Sequence, residues 1–142
     1  MAKKQKARVL FICLGNACRS PMAEAIARRD AADVIEPFSV GLLPLGHIPP
    51  LTTATLQKYG YPVDGLHSKG MTRELWENTD LFINISGETI EMGFPDASDL
   101  EVWDVADPFG TDAAFYERIM IELRDRISVL ADRLRERNNT FS

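Results

Sequence analysis

The chain has 142 residues, of which 45% are hydrophobic and 26% are charged, and its formal net charge is −5 at pH 7. These values are typical of one globular domain, the negative charge argues against nucleic-acid binding, and no apolar run is long enough to span a membrane. The two cysteines argue against a disulfide scaffold and fit a reducing cytoplasm. We therefore expect a cytoplasmic domain over residues 7–137, with flexible termini at 1–6 and 138–142.

A loop that can bind an anion follows the first predicted element. Residues 7–13 are apolar without alternation, as in strands buried within a parallel sheet, and they end at Cys13. Arg19 follows in the pattern C-x5-R-S-P. Such a loop can curl so that its N–H groups point inward and hold a phosphate group. The predicted phosphate-binding residues are Leu14, Gly15, Asn16, Ala17, Cys18, Arg19 and Ser20.

A helix predicted over residues 21–32 adds its N-terminal dipole to this loop. Ser20 is a preferred N-cap residue, and Pro21 suits the first helical position. The planar guanidinium of Arg19 can pair with two phosphate oxygens, and a Cys13 thiolate at the centre could act as a nucleophile. The alternative for Cys13 is a buried cysteine at a strand end, because free cysteine is among the most buried residue types.

The remaining segments alternate between strands and helices. We predict further strands at residues 35–40, 81–86 and 101–105, and helices at 51–59, 72–78 and 112–137. This alternation predicts an α/β three-layer sandwich, in which a four-stranded parallel doubly wound sheet has helices on both faces. Ligands of such sheets bind at the carboxyl ends of the strands, where Cys13 and Asp107 would meet.

Residues 8–24, with the sequence RVLFICLGNACRSPMAE, resemble the start of the low-molecular-weight protein tyrosine phosphatase family. That family has an Asp-Pro pair far downstream, which Asp107 and the proline after it match. The resemblance implies a cysteine-dependent phosphomonoesterase that forms a phosphocysteine without a cofactor, with Cys13, Arg19 and Asp107 as catalytic residues. Asp107 would be the general acid. The alternatives are a simple turn at Asp-Pro and Asp104, which lacks the following proline.

The resemblance also implies residues that support the loop and line a pocket. Asn16, Ser39 and His67 match positions at which the family builds a hydrogen-bond network behind the loop. Ser20 could donate to the thiolate, cap the helix, or do both. The segment LLPLGHIPP contains no aromatic residue, so we expect a largely aliphatic wall around the substrate. The predicted pocket residues are Leu14, Leu42, Leu45 and Phe109.

Other activities remain open within this resemblance. The family includes thioredoxin-coupled arsenate reductases, which use two further cysteines where ungapped matching places Ser86 and Gly93. Cys18 is the remaining thiol; it is either a packing residue or a redox partner, and a disulfide with Cys13 would need a reductant such as small thiols or glutaredoxin. A phosphoarginine-hydrolysing variant tends to carry threonine where this chain has Ala17. A non-catalytic phosphate-binding module is the third class of function, besides a phosphatase and an arsenate reductase.

The expected partners are a phosphorylated protein or a small aryl phosphate, with phosphate, vanadate or arsenate as inhibitors. We expect a monomer or weak dimer. No metal site is predicted, because Cys13 and Cys18 have only His47 and His67 as distant partners. Residues 75–116 contain no Lys or Arg. This segment is either a solvated acidic face or a docking surface for basic segments of a protein substrate.

Overall fold

The structure, a computed structural model, describes residues 6–90 and 100–140. The strands are β1 (Ala7–Cys13), β2 (Ile35–Gly41), β3 (Leu81–Asn84) and β4 (Leu100–Val102). The helices are α1 (Arg19–Asp30), α2 (Pro50–Lys58), α3 (Arg73–Asn78) and α4 (Ala113–Thr140). The four strands form one parallel sheet in the order β2-β1-β3-β4. The predicted doubly wound α/β fold is confirmed.

Strand β1 lies between β2 and β3 and is covered on both faces, which explains its unbroken apolar sequence. Val9 and Phe11 belong to the larger core, which α1, α2 and α4 complete on one face of the sheet. Leu10 and Ile12 belong to a smaller cluster on the opposite face, to which α3 contributes partly buried side chains. The sheet is therefore the middle of three layers.

Helix α1 begins at Arg19, two residues earlier than predicted, and Cys18 is its N-cap without a side-chain cap hydrogen bond. The prediction that Ser20 caps the helix is therefore wrong. The Ser20 hydroxyl instead lies 2.9 Å from Cys13 Sγ. Pro21 is tolerated in the first turn because the N–H groups there have no intrahelical partner.

Strands β3 and β4 end at Asn84 and Val102, earlier than the predicted ends at residues 86 and 105. The residues beyond these ends turn toward the loop that follows β1. Arg19 Nη1 donates to the carbonyl oxygens of Ile85 and Val105, at 2.7 and 3.1 Å. The shorter strands thus free two carbonyl groups to hold this arginine.

Helix α4 continues three residues beyond its predicted end at residue 137. Apolar residues at helical spacing form a buried stripe along this helix, and its members are Tyr116, Ile119, Leu123, Ile127, Leu130 and Leu134. In the part of the chain that the structure describes, no helix has both the length and the apolar character that a membrane crossing requires.

Gly41 lets β2 end directly against the loop after β1. A Cβ atom at this position would lie 2.7 Å from Asn16 N and 2.8 Å from Leu14 O, closer than real Cβ contacts. A side chain here would push the loop away from the carboxyl end of the sheet. The glycine is therefore required by the close approach of two backbones.

Candidate active site

The loop from Cys13 to Cys18 is held from outside through its carbonyl groups. The donor–acceptor pairs are Leu42 N to Cys13 O (3.0 Å), Leu43 N to Leu14 O (2.8 Å), Leu45 N and Ser68 Oγ to Gly15 O (2.8 and 2.9 Å), and Thr52 Oγ1 to Ala17 O (2.7 Å). The C=O and N–H of a planar trans peptide point in opposite directions. The N–H groups that point into the loop are therefore those of Leu14, Gly15, Asn16 and Cys18. Converging N–H groups form an anion-binding nest.

Asn16 is the one non-glycine residue with positive φ among the residues described, with φ of 47°. This left-handed conformation is tolerated by asparagine and is held here by side-chain hydrogen bonds. Nδ2 donates to Ser20 Oγ at 2.7 Å and to Ser39 Oγ at 3.0 Å, and Oδ1 accepts from Lys69 N at 2.8 Å. The predicted contact between Asn16 and Ser39 is present.

These hydrogen bonds have a defined direction that ends at the thiol. The Ser39 hydroxyl donates to the Glu24 carboxylate, so it accepts from Asn16. Asn16 in turn donates to Ser20 Oγ. The Ser20 hydroxyl proton is thereby left for Cys13 Sγ, at 2.9 Å, with Val40 O as a longer alternative at 3.4 Å. The Ser20 hydroxyl is therefore oriented as a hydrogen-bond donor to the sulfur of Cys13.

Glu24 starts this chain of hydrogen bonds and was not predicted from the sequence. Its side chain is 10% exposed, forms an ion pair with Arg28, and lies 3.8 Å from Lys69 Nζ. Burial lowers the pKa of Lys69, and the nearby Glu24 carboxylate opposes that effect. Glu24 and Lys69 are far apart in sequence and belong to no motif, so only the fold brings them together.

His67 does not join the network as predicted. The residue is exposed, and its Nδ1 lies 3.0 Å from the carbonyl oxygen of Gly65. Ser68 and Lys69, the next two residues, make the contacts to the loop instead. The prediction was wrong by one or two positions along an irregular segment, where the sequence does not fix the direction of each side chain.

Arg19 is 5% exposed and lines the same pocket as Cys13 and the loop residues. Besides its two carbonyl partners, it has Nη2 at 3.5 Å from Asp107 Oδ2. Its Nε is the only buried side-chain nitrogen or oxygen of the described residues that lacks a hydrogen-bond partner. A buried N–H without a partner is costly, and an anion oxygen in the nest would satisfy it.

Asp107 lies at the pocket and also forms a local turn. Oδ1 accepts from Phe109 N at 3.1 Å, while Oδ2 faces Arg19 and the side chain is 44% exposed. The turn and the active-site interpretation of Asp107 are therefore compatible. Asp104, its competitor in the sequence, is exposed and outside the pocket lining, and its carbonyl oxygen accepts from Arg126.

The pocket above Cys13 has a volume of about 200 Å³. Its lining residues are Cys13, Leu14, Gly15, Ala17, Cys18, Arg19, Leu43, Leu45, Asp107 and Phe109. Leu42 was predicted in this lining and is absent from it; it packs against the smaller core cluster instead. Successive side chains of an extended segment point to opposite sides, so Leu43 takes the predicted place.

Cys18 is buried beside Tyr116 of α4, with Sγ 3.2 Å from the tyrosine hydroxyl. Burial is the main reason why the pKa values of the Cys18 thiol and of the Tyr116 phenol are raised. Cys18 is therefore a neutral thiol at neutral pH, although it lines the same pocket as Cys13. Tyr116 also belongs to the buried apolar stripe of α4, and its spacing alone does not reveal this contact.

The two positions considered for additional cysteines lie elsewhere. Ser86 is buried outside the pocket lining and donates to Asn84 Oδ1 at 2.6 Å. Gly93 lies outside the described residues. Within residues 6–90 and 100–140, no group of three or more His, Cys, Asp or Glu side chains is arranged to hold a metal ion.

The fold and the loop define an α/β domain whose first strand ends at a cysteine inside a ring of inward N–H groups. The family model described as low molecular weight phosphotyrosine protein phosphatase matches residues 8–140, and the chain belongs to this family.

Proteins similar to this chain are named for different activities. The low molecular weight protein-tyrosine-phosphatase PtpA of Staphylococcus epidermidis is 35% identical over 128 residues, covering 72% of this chain and 79% of the relative. An arsenate reductase of Bacillus licheniformis is 28% identical over 135 residues, covering 89% of this chain and 96% of the relative. The solved structure of the YwlE arginine phosphatase from Geobacillus stearothermophilus superposes with a TM-score of 0.86 at 25% identity. The superposition covers 96% of this chain and 97% of that protein.

Proposed function

We propose that the protein is a phosphomonoesterase that hydrolyses phosphotyrosine or small aryl phosphates through a phosphocysteine intermediate. The observation that carries the proposal is the convergence of Cys13, Arg19 and Asp107 on one pocket. The unpaired Nε of Arg19 supports it, because guanidinium N–H groups are strong hydrogen-bond donors to phosphoryl oxygens.

In the first step, the Cys13 thiolate attacks phosphorus, and the bond from phosphorus to the leaving oxygen breaks. The inward N–H groups and Arg19 bind the equatorial oxygens, where charge stabilisation supplies most of the rate. Asp107 donates its proton to the leaving oxygen, so the product departs as a neutral phenol or alcohol.

In the second step, water attacks the phosphocysteine and the sulfur–phosphorus bond breaks. Asp107, now a carboxylate, accepts the proton of the attacking water. The Ser20 hydroxyl, 2.9 Å from Cys13 Sγ, donates to the departing thiolate. The enzyme returns to its starting state with inorganic phosphate bound.

An arsenate reductase is the second candidate, favoured by the similarity to the Bacillus licheniformis protein and by the thiol of Cys18 in the same pocket. Cys13 would form a sulfur–arsenic bond, and Cys18 would attack Cys13, releasing arsenite and leaving a disulfide. Two electrons would pass from the two thiols to arsenic, and a glutaredoxin or small thiol would reduce the disulfide. The hydroxyl of Ser86 cannot serve as a relay thiol.

A substrate panel separates these candidates. We expect turnover of p-nitrophenyl phosphate and phosphotyrosine peptides, with competitive inhibition by phosphate, vanadate and arsenate. Phosphoserine and phosphoarginine peptides should be poorer substrates. For phosphoarginine the reason is that this chain has Ala17 at the position where phosphoarginine-hydrolysing relatives tend to carry threonine. Arsenate-dependent NADPH oxidation with thioredoxin and its reductase should be small.

The variant Cys18→Ser provides the control for this panel, because only arsenate reduction needs a second thiol. Phosphatase activity should survive the substitution. Robust arsenate reduction by the unmodified protein, lost in Cys18→Ser, together with no phosphoester hydrolysis would overturn the assignment in favour of a reductase.

A further inference from the structure

Thr52 of α2 is fully buried, and its hydroxyl bonds outside its own helix. Oγ1 donates to the carbonyl oxygen of Ala17 at 2.7 Å. Two other threonines of α2 behave differently, since Thr53 and Thr55 donate to carbonyl groups of the same segment, at Pro50 and Leu51. The distinct partner of Thr52 links α2 to the phosphate-binding loop.

This link differs in kind from the other contacts that hold the loop. The outward carbonyls of Cys13, Leu14 and Gly15 each accept from a backbone N–H. The Gly15 carbonyl also accepts from the Ser68 hydroxyl, whereas the Ala17 carbonyl has a side-chain donor, Thr52, in place of a backbone N–H. The orientation of the peptide between Ala17 and Cys18 therefore depends on the Thr52 hydroxyl.

The same peptide carries the N–H of Cys18, which points into the nest because the Ala17 carbonyl points out. If the peptide rotated, a carbonyl oxygen would face the phosphoryl oxygens and repel them. Tyr116 of α4 holds the neighbouring Cys18 side chain at 3.2 Å. Helices α2 and α4 thus hold this half of the loop through two hydroxyl groups.

We propose that Thr52 is a positioning residue that aims the Cys18 N–H at the phosphoryl group and so strengthens transition-state binding. The inference rests on the proposed function for its catalytic consequence, and on the geometry alone for its effect on anion binding. Thr52 lies outside the pocket lining, and its hydroxyl also interacts with the Cys18 thiol and the Tyr116 hydroxyl. It acts on the nest through the peptide after Ala17 and the side chain of Cys18.

The test compares Thr52→Val, which keeps the shape and removes the hydroxyl, with Thr52→Ser, which restores it. Thr52→Val should lower kcat on p-nitrophenyl phosphate by about 10- to 100-fold, part of the effect of losing one oxyanion donor. It should weaken vanadate, a transition-state mimic, more than inorganic phosphate. Thr52→Ser should stay within about threefold of wild type, since the hydroxyl donor returns.

The matched control is Thr55→Val, which removes a hydroxyl of the same helix whose partner is Leu51 O. It should leave kcat and vanadate affinity within about twofold of wild type, because the loop is untouched. Equal losses in Thr52→Val and Thr55→Val, or no rescue by Thr52→Ser, would overturn the inference.

A second measurement needs no variant and no turnover. On addition of inorganic phosphate, the amide resonance of Cys18 in the wild-type protein should shift together with those of Leu14, Gly15 and Asn16. A Cys18 amide that stays unchanged while the other three shift would overturn the inference, even if Thr52→Val does not fold. If phosphate and vanadate bind as predicted and no phosphoester is hydrolysed, the proposed function fails while the role of Thr52 in anion binding stands.

Discussion

The floor and the rim of the pocket are built in opposite ways. At the floor, Cys13, Asn16, Arg19 and Ser20 are between 0% and 5% exposed. At the rim, the exposed fractions are 37% for Leu14, 39% for Leu45, 54% for Phe109 and 72% for Leu43. At the floor, Cys13, Asn16 and Ser20 are linked by hydrogen bonds, and Arg19 is held by two backbone carbonyl groups. The rim consists mainly of apolar side chains in contact with solvent.

This difference separates the chemistry of the site from its choice of substrate. The donors of the floor are oriented before any ligand binds, so little reorganisation is needed at the moment of reaction. The rim side chains are exposed, so replacing them changes the surface that a substrate meets without disturbing the fold. Substitutions at the floor should therefore act on kcat, and substitutions at the rim mainly on KM.

The largest effect is expected at the floor, for Cys13→Ser. A serine hydroxyl is a far weaker nucleophile than a thiolate, so turnover of p-nitrophenyl phosphate should fall by more than about 10³-fold. The nest and Arg19 remain, so phosphate should still bind, as calorimetry can measure. Residual activity above about one percent of wild type would contradict the assignment of Cys13 as nucleophile.

Asp107 lies between the floor and the rim, and its removal should have the next largest effect. Asp107→Asn should slow phenyl phosphate hydrolysis by about 10²- to 10⁴-fold, the usual contribution of a general acid. An activated ester should lose much less, because its leaving group departs without a proton. The control Asp104→Asn should change the rate of neither ester. Equal losses of rate for both esters in Asp107→Asn would show that Asp107 is a turn residue and not the general acid.

The smallest effect is expected at the rim, for Leu43→Ser. Removing this side chain takes away apolar contact with a phosphotyrosine ring, and KM for a phosphotyrosine peptide should rise by about three- to tenfold. The affinity for inorganic phosphate should not change, since phosphate reaches only the floor. Val129→Ser is the matched control, because Val129 is 64% exposed on α4 and outside the pocket lining. A loss of kcat without a change in KM would contradict the division between floor and rim.

The sequence predicted the parts of the site that are contiguous or carry a motif. The C-x5-R pattern places Cys13 and Arg19 on one loop, and the Asp-Pro pair identifies Asp107, because parallel strands bring their carboxyl ends to one edge. Asn16 and Ser39 were predicted in a hydrogen-bond network behind the loop, and Asn16 Nδ2 donates to Ser39 Oγ. These predictions depend on local chemistry and topology, which the sequence states directly.

Predictions from the sequence were wrong where the role of a residue depends on the direction of its side chain. Leu42 and His67 were each one or two residues from the positions that face the site, because irregular segments lack a period that fixes orientation. Thr52 and Tyr116 lie on helices remote from the loop in sequence, and their hydroxyl groups reach it only through helix packing. A tyrosine at helical spacing is indistinguishable from a core residue until its hydroxyl partner is known.

In the proposed mechanism, Cys13 carries the phosphoryl group during turnover. The direct test is to denature the enzyme rapidly while it turns over p-nitrophenyl phosphate and to map any added phosphoryl mass by mass spectrometry. We expect one phosphoryl group on the peptide that contains Cys13. More of this phosphoenzyme should accumulate in Asp107→Asn, where hydrolysis of the intermediate lacks its base, and none should form in Cys13→Ser. Sustained turnover with no phosphoenzyme in either protein, or a phosphoryl group on another residue, would contradict it.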